Sequence, residues 1–194
     1  MKYDILLAGV GGQGLLSMAV IIASTAMEAG YEVKQSEVHG MSQRGGAVLA
    51  NLRLADRTIH SDIIARGDAD MILSLEVMEG LRYLEYLSAE GTMLANAGRV
   101  ENIPDYPRQE DLVARITQLP NSCLVPADEL AKEAGALQAS NMVMVGAASN
   151  FLPLEAAALE AQIARLFRAK GEKVVETNLR AFRAGRAALA CPAS

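Results

Sequence analysis

The chain has 194 residues, of which 51% are hydrophobic and 21% charged, and this composition is typical of a folded globular domain. With 18 Lys and Arg against 23 Asp and Glu, the formal net charge is −5, so neither nucleic-acid binding by phosphate neutralisation nor a helix held on anionic lipid is expected. The start of the chain lacks the pattern of a signal peptide, and no window reaches the roughly 18 apolar residues of a membrane span. The sequence therefore predicts a cytoplasmic protein without membrane contact.

The first third of the chain is typical of a βαβ unit. An apolar run predicts a buried strand over 3–8, a helical apolar stripe predicts a helix over 15–27, and a second strand is expected over 31–35. Residues 36–46 are polar and rich in glycine, so they are expected to form a loop.

The rest of the chain alternates between apolar strands and amphipathic helices. Strands are expected over 47–54, 70–75, 92–96 and 122–125, and helices over 76–87, 109–119, 128–134, 141–148, 153–169 and 174–189. Residues 98–108 contain two prolines and are expected to form a surface connection. This order predicts one α/β domain over 1–194, Rossmann-like and three-layered, with a mostly parallel sheet and helices on both faces.

The turn after the first strand fits the pattern G-x-G-x-x-G. Its candidate cofactor-binding residues are Gly9, Gly11, Gly12, Gln13 and Gly14. Glycines let backbone N–H groups approach a ligand, and the helix that follows offers its positive N-terminal end to a phosphate. Tight packing of helix on strand is the alternative explanation.

The loop after the second strand is the other candidate. Its proposed cofactor-binding residues are His39, Ser42, Gln43, Arg44, Gly45 and Gly46. An arginine and exposed glycine amides suit a phosphate or carboxylate, and ligands of open α/β sheets bind at the carboxyl ends of strands. The alternatives are a solvated loop in which Arg44 pairs with Glu37, and a histidine that is simply packed.

Catalytic and metal-binding constellations are not indicated. His60, the only histidine besides His39, is expected on the surface, and no Ser–His–Asp spacing is present. Cys123 and Cys191 are too few to hold an iron–sulfur cluster or a structural zinc alone, and reduced thiols are the simple expectation. No catalytic residue and no metal site is therefore assigned to this chain.

Together, the Gly-Gly-Gln-Gly turn at 11–14 and Gln-Arg-Gly-Gly at 43–46 resemble the gamma-type subunit of the thiamine-diphosphate-dependent 2-oxoacid:ferredoxin oxidoreductases. The stretch 36–46 looks most like the indolepyruvate branch of that family. Further similar segments are 67–70, 79–84, 141–147 and 178–185. Pro126, where the family often has Asp, and the segment 98–108 depart from the family pattern.

The resemblance implies a small subunit without cofactors of its own. It implies a large partner subunit that binds thiamine diphosphate with magnesium and carries [4Fe–4S] clusters, with ferredoxin reduced through the complex and coenzyme A as co-substrate. The implied reaction is oxidative decarboxylation of an aryl pyruvate to an aryl-acetyl-CoA. The two glycine segments would then form a polar wall beside the active centre, with charge from Arg44 and hydrogen bonds from the Gly11 and Gly12 amides.

Two other functions stay open at this point. One is a stand-alone Rossmann-type oxidoreductase that binds NAD(P) or a flavin, for which Glu37, 23 residues after Gly14, would bind the ribose. The other is a non-enzymatic interaction module with the same fold. The isolated chain is also a candidate homodimer, and the apolar segment 141–144 is a candidate contact surface.

Overall fold

The computed structural model describes residues 1–39, 45–101 and 103–189, with only the backbone of His39. Its strands are β1 Lys2–Val10, β2 Glu32–His39, β3 Ala47–Ala55, β4 Ala69–Ser74, β5 Leu87–Asn96 and β6 Ser122–Val125. Its α-helices are α1 Leu15–Glu28, α2 Val77–Arg82, α3 Gln109–Thr117, α4 Ala127–Ala134, α5 Ser140–Ala148, α6 Ala156–Phe167 and α7 Glu172–Ala187. Short 3₁₀ turns lie at Leu84–Tyr86, Leu137–Ala139 and Arg168–Lys170.

The six described strands form one mixed sheet in the order β2-β3-β1-β4-β5-β6. β3 pairs antiparallel with both β1 and β2, whereas the other pairings, β1 with β4, β4 with β5 and β5 with β6, are parallel. The predicted mostly parallel sheet is thus confirmed, with β3 as the reversed strand. The short connection from β2 to β3 explains that reversal, because a parallel neighbour needs a long crossover.

The largest differences from the predicted element boundaries lie at the end of β2 and between α2 and β5. β2 runs to His39, so Ser36–His39 pair with β3 and are not loop. The helix expected over 76–87 ends at Arg82, and after a short 3₁₀ turn β5 begins at Leu87. Gly80 and two nearby tyrosines weaken the helix, while residues 87–92 extend the parallel sheet instead.

The sheet carries helices on both faces, as predicted. Alternate β1 residues point to opposite faces, so that Ile5 and Leu7 pack in the larger core while Leu6 packs in the smaller one. The larger core lies under α1 and α4–α7, and the smaller one lies under α2 and α3. The segment 141–144 was a candidate contact surface with ordinary core as the alternative, and the structure supports the core, because its side chains are 5% exposed or less.

Helices α5 and α7 approach until their backbones touch. A Cβ on Gly146 would overlap the carbonyl oxygen of Phe182, and a Cβ on Gly185 would overlap that of Val143. These two glycines therefore fix the distance between the helices, and this distance positions the start of α5 against the glycine turn after β1.

Two further expectations have outcomes in the described part of the chain. Cys123 takes part in a disulfide bond, so the expectation of reduced thiols is wrong at this residue, since spacing along the chain does not limit which thiols meet in a fold. Cys191 lies outside the described residues. Among the helices that are described, none combines the length and the apolar character needed to cross a bilayer.

Candidate functional site

The glycine turn after β1 lies beside Gly45 and Gly46 at the carboxyl edge of the sheet. The Gly11 N–H donates to the Gly46 carbonyl oxygen at 2.8 Å, and the Gly45 N–H donates to the Gly11 carbonyl oxygen at 3.3 Å. This pairing follows from the register that puts Val10 opposite Ala47. We call residues 9–14 together with Gly45 and Gly46 the glycine wall.

Part of the second candidate segment lies outside the described residues. This applies to Ser42, Gln43, Arg44 and the side chain of His39. Gly45 and Gly46, which follow Arg44 in the sequence, are described and belong to the glycine wall. The ligand roles of the four residues stay predictions.

Gln13 holds the wall together from within. Its Oε1 accepts the Val10 N–H at 2.7 Å, and its Nε2 donates to the Leu75 carbonyl oxygen at 3.1 Å. A Cβ on Gly9 would lie 3.0 Å from that Oε1 and 3.2 Å from Leu75, which explains the absence of a side chain at position 9. In the structure Gln13 therefore fixes the turn against the end of β4, and Gly9 leaves room for the Gln13 side chain.

Unused amide hydrogens concentrate at the start of α1. The N–H of Gly11 is engaged by Gly46, whereas those of Gly12, Gly14, Leu15 and Leu16 have no acceptor within the described ranges. Helix α1 has no acidic residue in its first turn and no side-chain cap, so its positive end stays uncompensated. Hydrogen bonds to a ligand would therefore come from Gly12 and the residues after it, and not from Gly11.

Gly12 and Gly14 are glycines for different reasons. Both have positive φ values, 102° and 84°, which L-residues with a Cβ rarely adopt. At Gly12 the space around a Cβ would be empty, whereas at Gly14 a Cβ would lie 2.5 Å from the Asn141 Nδ2. Asn141 is 5% exposed and donates from Nδ2 to the Gly14 carbonyl oxygen at 3.2 Å. The start of α5 therefore supports the turn.

Two clefts open on either side of this turn. The first, about 440 Å³, is largely apolar and includes Val10, Gly11, Gly12, Leu15, Leu16 and Val48. The second, about 520 Å³, includes Gly12, Gly14, Asn141, Lys170, Lys173 and Asn178, and we call it the lysine cleft. The sequence prediction missed the contributions of Asn141 and of the two lysines, because these residues lie more than a hundred positions from the glycine turn.

The same sheet edge continues as a buried polar network. The Asn96 Nδ2 donates to the Leu75 carbonyl oxygen, which Gln13 also uses, and to the Asp128 Oδ1 at 3.1 Å. The Asn96 Oδ1 accepts the N–H groups of Gly98 and Ala127. Because nearly all these groups are satisfied within the chain, the network makes the edge rigid.

Glu76 is a second buried polar residue at this edge. It caps α2 by accepting the Glu79 N–H at 2.8 Å, and it also accepts the Tyr106 hydroxyl. Burial, followed by the bond to this carboxylate, raises the pKa of Tyr106. Glutamate is not among the residue types that favour the N-cap position, so no residue pattern in the sequence predicts this cap.

The geometry does not favour a dinucleotide site at Glu37. In the described sheet β3 lies between β1 and β2, so Glu37 is displaced from the glycine turn by two strand spacings, about 10 Å. Its side chain is exposed and accepts a hydrogen bond from Gln35 Nε2 at 2.6 Å. The other histidine, His60, is exposed as expected. Across the described ranges there is also no group of three His, Cys, Asp or Glu able to hold a metal.

Comparison with known proteins identifies the family. Residues 4–188 match the family model described as pyruvate ferredoxin/flavodoxin oxidoreductase. The chain is 35% identical to "Indolepyruvate oxidoreductase subunit IorB" of Methanothermobacter thermautotrophicus, over 98% of this chain and 99% of that protein. It is 36% identical to the subunit of the same name from Pyrococcus horikoshii, over 95% of this chain and 94% of that protein.

A solved structure agrees with these relatives. The gamma subunit of a keto/oxoacid ferredoxin oxidoreductase from Geobacter sulfurreducens superposes with a TM-score of 0.71 at 27% identity, over 97% of this chain and 99% of that chain. The resemblance read from the glycine motifs is confirmed, and the alternatives of a stand-alone NAD(P) or flavin enzyme and of a non-enzymatic module are not supported. The chain belongs to the pyruvate ferredoxin/flavodoxin oxidoreductase family, as one of its small oxidoreductase subunits.

Proposed function

We propose that this chain is the small subunit of an oxidoreductase that converts indolepyruvate or a related aryl pyruvate and coenzyme A into an aryl-acetyl-CoA, carbon dioxide and reduced ferredoxin. The observation that carries this proposal is the 35% identity with an indolepyruvate oxidoreductase subunit of nearly equal length. The substrate preference is the part that needs direct measurement. The cytoplasmic location and the homodimer of the isolated chain stay predictions.

The proposal assigns the cofactors to a larger partner subunit. A [4Fe–4S] cluster takes four thiolates, and this chain has two cysteines in all, one of them in a disulfide bond. Thiamine diphosphate with magnesium, bound by the partner, supplies the carbon chemistry. The residues of this chain then bind and orient substrates.

The glycine wall is the surface that we assign to that task. Its unused amides at Gly12 and Gly14 and the positive end of α1 suit an anionic group of coenzyme A or of the oxoacid. The rigid edge behind the wall, held by Gln13 and Asn96, keeps these donors in place without reorganisation. The alternative role of the wall is to fix active-site loops of the partner.

A substrate panel tests the function. The chain is co-expressed with a candidate large subunit, and viologen reduction is measured with indolepyruvate, phenylpyruvate, pyruvate and 2-oxoglutarate, each with coenzyme A. We expect the highest kcat/KM with an aryl pyruvate. An active complex that prefers pyruvate or 2-oxoglutarate contradicts the substrate assignment, and an inactive complex contradicts the function.

The role of Arg44 is tested in the same complex. Arg44→Ala is expected to raise the KM for coenzyme A or the oxoacid about tenfold, because it removes a charge-assisted contact, or to prevent assembly. Arg57→Ala, an exposed arginine after β3, is the matched control and is expected to leave both KM values unchanged. Normal assembly with unchanged KM values in the Arg44 variant contradicts this role.

A further inference from the structure

The outward face of α1 is apolar along most of its length. Three of the exposed residues of this helix, Leu16, Val20 and Met27, are large and apolar, and only Glu28 at its end is charged. Positions 16, 20 and 27 are four and seven residues apart, so these side chains share one face of the helix. On α7, by contrast, nearly all the exposed residues are charged. A surface helix with an apolar outward face indicates that another apolar surface covers it.

A groove between α1 and α6 continues this face. Its volume is about 330 Å³, and its lining is Val20, Ile21, Ser24, Gln162, Arg165 and Leu166. Leu166 is exposed and adds an apolar side chain beside Val20. In the other direction, Leu16 lines the apolar cleft that opens beside the glycine turn. We call this groove together with Leu16, Val20 and Met27 the α1–α6 strip, and it is continuous with the glycine wall.

A buried hydrogen-bond donor in the groove has no acceptor. Gln162 is 5% exposed, and its Nε2 has no hydrogen-bond partner among the residues that the structure describes. Arg165 and then Gln162 lower the pKa of the Glu28 carboxylate, but the hydrogen bond of this carboxylate goes to Arg165 and the Gln162 donor stays unmatched. Buried donors in native structures are almost always paired, so this one indicates an acceptor that another molecule supplies.

We propose that the larger partner subunit docks on the α1–α6 strip, with apolar side chains against Val20 and Leu166 and a hydrogen-bond acceptor for the Gln162 Nε2. The inference rests on the proposed function, which brings that subunit to the glycine wall, and Leu16 makes the strip continuous with the wall. A second copy of this chain on the strip would instead cover the edge of the wall, where the proposed function needs the larger subunit. Because Arg165 is already paired with Glu28, the strip suits an apolar partner surface and not a charged one.

Binding between the purified subunits tests the docking surface. Isothermal titration calorimetry measures the Kd of the large subunit for the unmodified chain, for the double variant Val20→Glu/Leu166→Glu and for the control Ile63→Glu. Ile63 is an equally exposed apolar residue that lies outside the strip, between β3 and β4. We expect the double variant to raise this Kd by about a hundredfold, because docking would bury two carboxylates, and the control to change it less than about threefold. Since all three positions are exposed, the urea midpoints of the isolated variants are expected to match that of the unmodified chain.

Gln162→Met tests the buried donor separately. Methionine keeps an unbranched side chain of similar length but lacks the amide, so no hydrogen bond within the chain is lost and the urea midpoint of the isolated chain is not expected to fall. The Kd for the large subunit is expected to rise about three- to tenfold, because the acceptor on the partner loses its donor. A lower urea midpoint together with an unchanged Kd would show that the amide acts within the chain, and would contradict its role in docking.

The outcomes distinguish this inference from the proposed function. An unchanged Kd in the double variant overturns the inference, as does an unmodified chain that does not bind the large subunit. A double variant that binds the large subunit normally but loses self-association in sedimentation experiments also overturns it, because a second copy then covers the strip. Viologen reduction by the unmodified complex judges the proposed function. A complex that assembles through the strip but prefers another oxoacid supports the inference and contradicts only the substrate assignment.

Discussion

The Gln13 side chain ties the glycine turn to the end of β4 through one accepted and one donated hydrogen bond. Gln13→Leu leaves the Val10 N–H and the Leu75 carbonyl short of a partner, so we expect unfolding free energy to fall by about 1–3 kcal/mol. Gln118→Leu, at the exposed end of α3, is the control, with an expected change within about 0.5 kcal/mol. Urea denaturation compares the two variants, and equal losses contradict the bridging role.

Alanine substitutions at Gly14 and Gly30 distinguish the cost of backbone strain from the cost of steric crowding. Both have similar positive φ values, 84° and 86°, but a Cβ at Gly30 would meet empty space while one at Gly14 would meet Asn141. We expect Gly30→Ala to lower the unfolding free energy by about 1 kcal/mol and Gly14→Ala by about 1 kcal/mol or more beyond that. Equal losses in thermal unfolding would show that Asn141 moves aside without cost.

Tyr3 makes the free energy of unfolding depend on pH in the alkaline range. Burial, followed by the nearby Asp70 carboxylate, raises the pKa of this phenol above its ordinary value of about 10. Its stabilising contribution is therefore complete below pH 10, where the unfolded chain keeps the proton, and is lost as the pH rises above 10 toward the folded-state pKa. We expect Tyr3→Phe to flatten the decline of the urea midpoint between pH 9 and pH 11, and an unchanged slope contradicts this origin.

Helix α7 is held against α5 at backbone contact by Gly146 and Gly185. Gly185→Ala sets a methyl group against the Val143 carbonyl, and neither helix can move without opening the larger core, so we expect a loss of about 3 kcal/mol or more. Ala184→Gly, the neighbouring half-exposed site on α7, is the control and is expected to cost about 1 kcal/mol from helix propensity. Chemical denaturation distinguishes the two, and a smaller loss for Gly185→Ala contradicts close packing.

Helices and strands with a regular pattern of apolar residues could be predicted from the sequence, whereas their arrangement relative to one another could not. The buried run of β1 and the stripe of α1 gave both elements to within two residues. The reversed direction of β3 depends on chain connectivity across the sheet, and apolar patterning does not report it. The close approach of α5 to α7 depends on two glycines about 40 positions apart. Neither glycine, taken alone, shows in the sequence that another helix packs against it.

The candidate site was predictable where local chemistry defines it. The glycine pattern predicts the turn, and backbone hydrogen bonds join Gly45 and Gly46 to Gly11 of that turn. The lysine cleft was not predictable, because it joins the start of α1 to residues of α5 and α7 that come together only in the fold. The sequence predicts that Gln13 contacts a ligand, whereas in the structure its Oε1 and its Nε2 both form hydrogen bonds within the chain.

At the scale of the whole molecule, this family member lacks the cysteines for iron–sulfur clusters and presents a rigid wall of donors at one sheet edge. The central claim is that this wall completes an active centre on a larger chain. Titrating the purified small subunit into its purified large subunit, with an aryl pyruvate, coenzyme A and viologen, tests that claim most directly. We predict that the reduction rate rises to a plateau at one small subunit per large subunit. A large subunit with the same kcat and coenzyme A KM in the absence of this chain would contradict it.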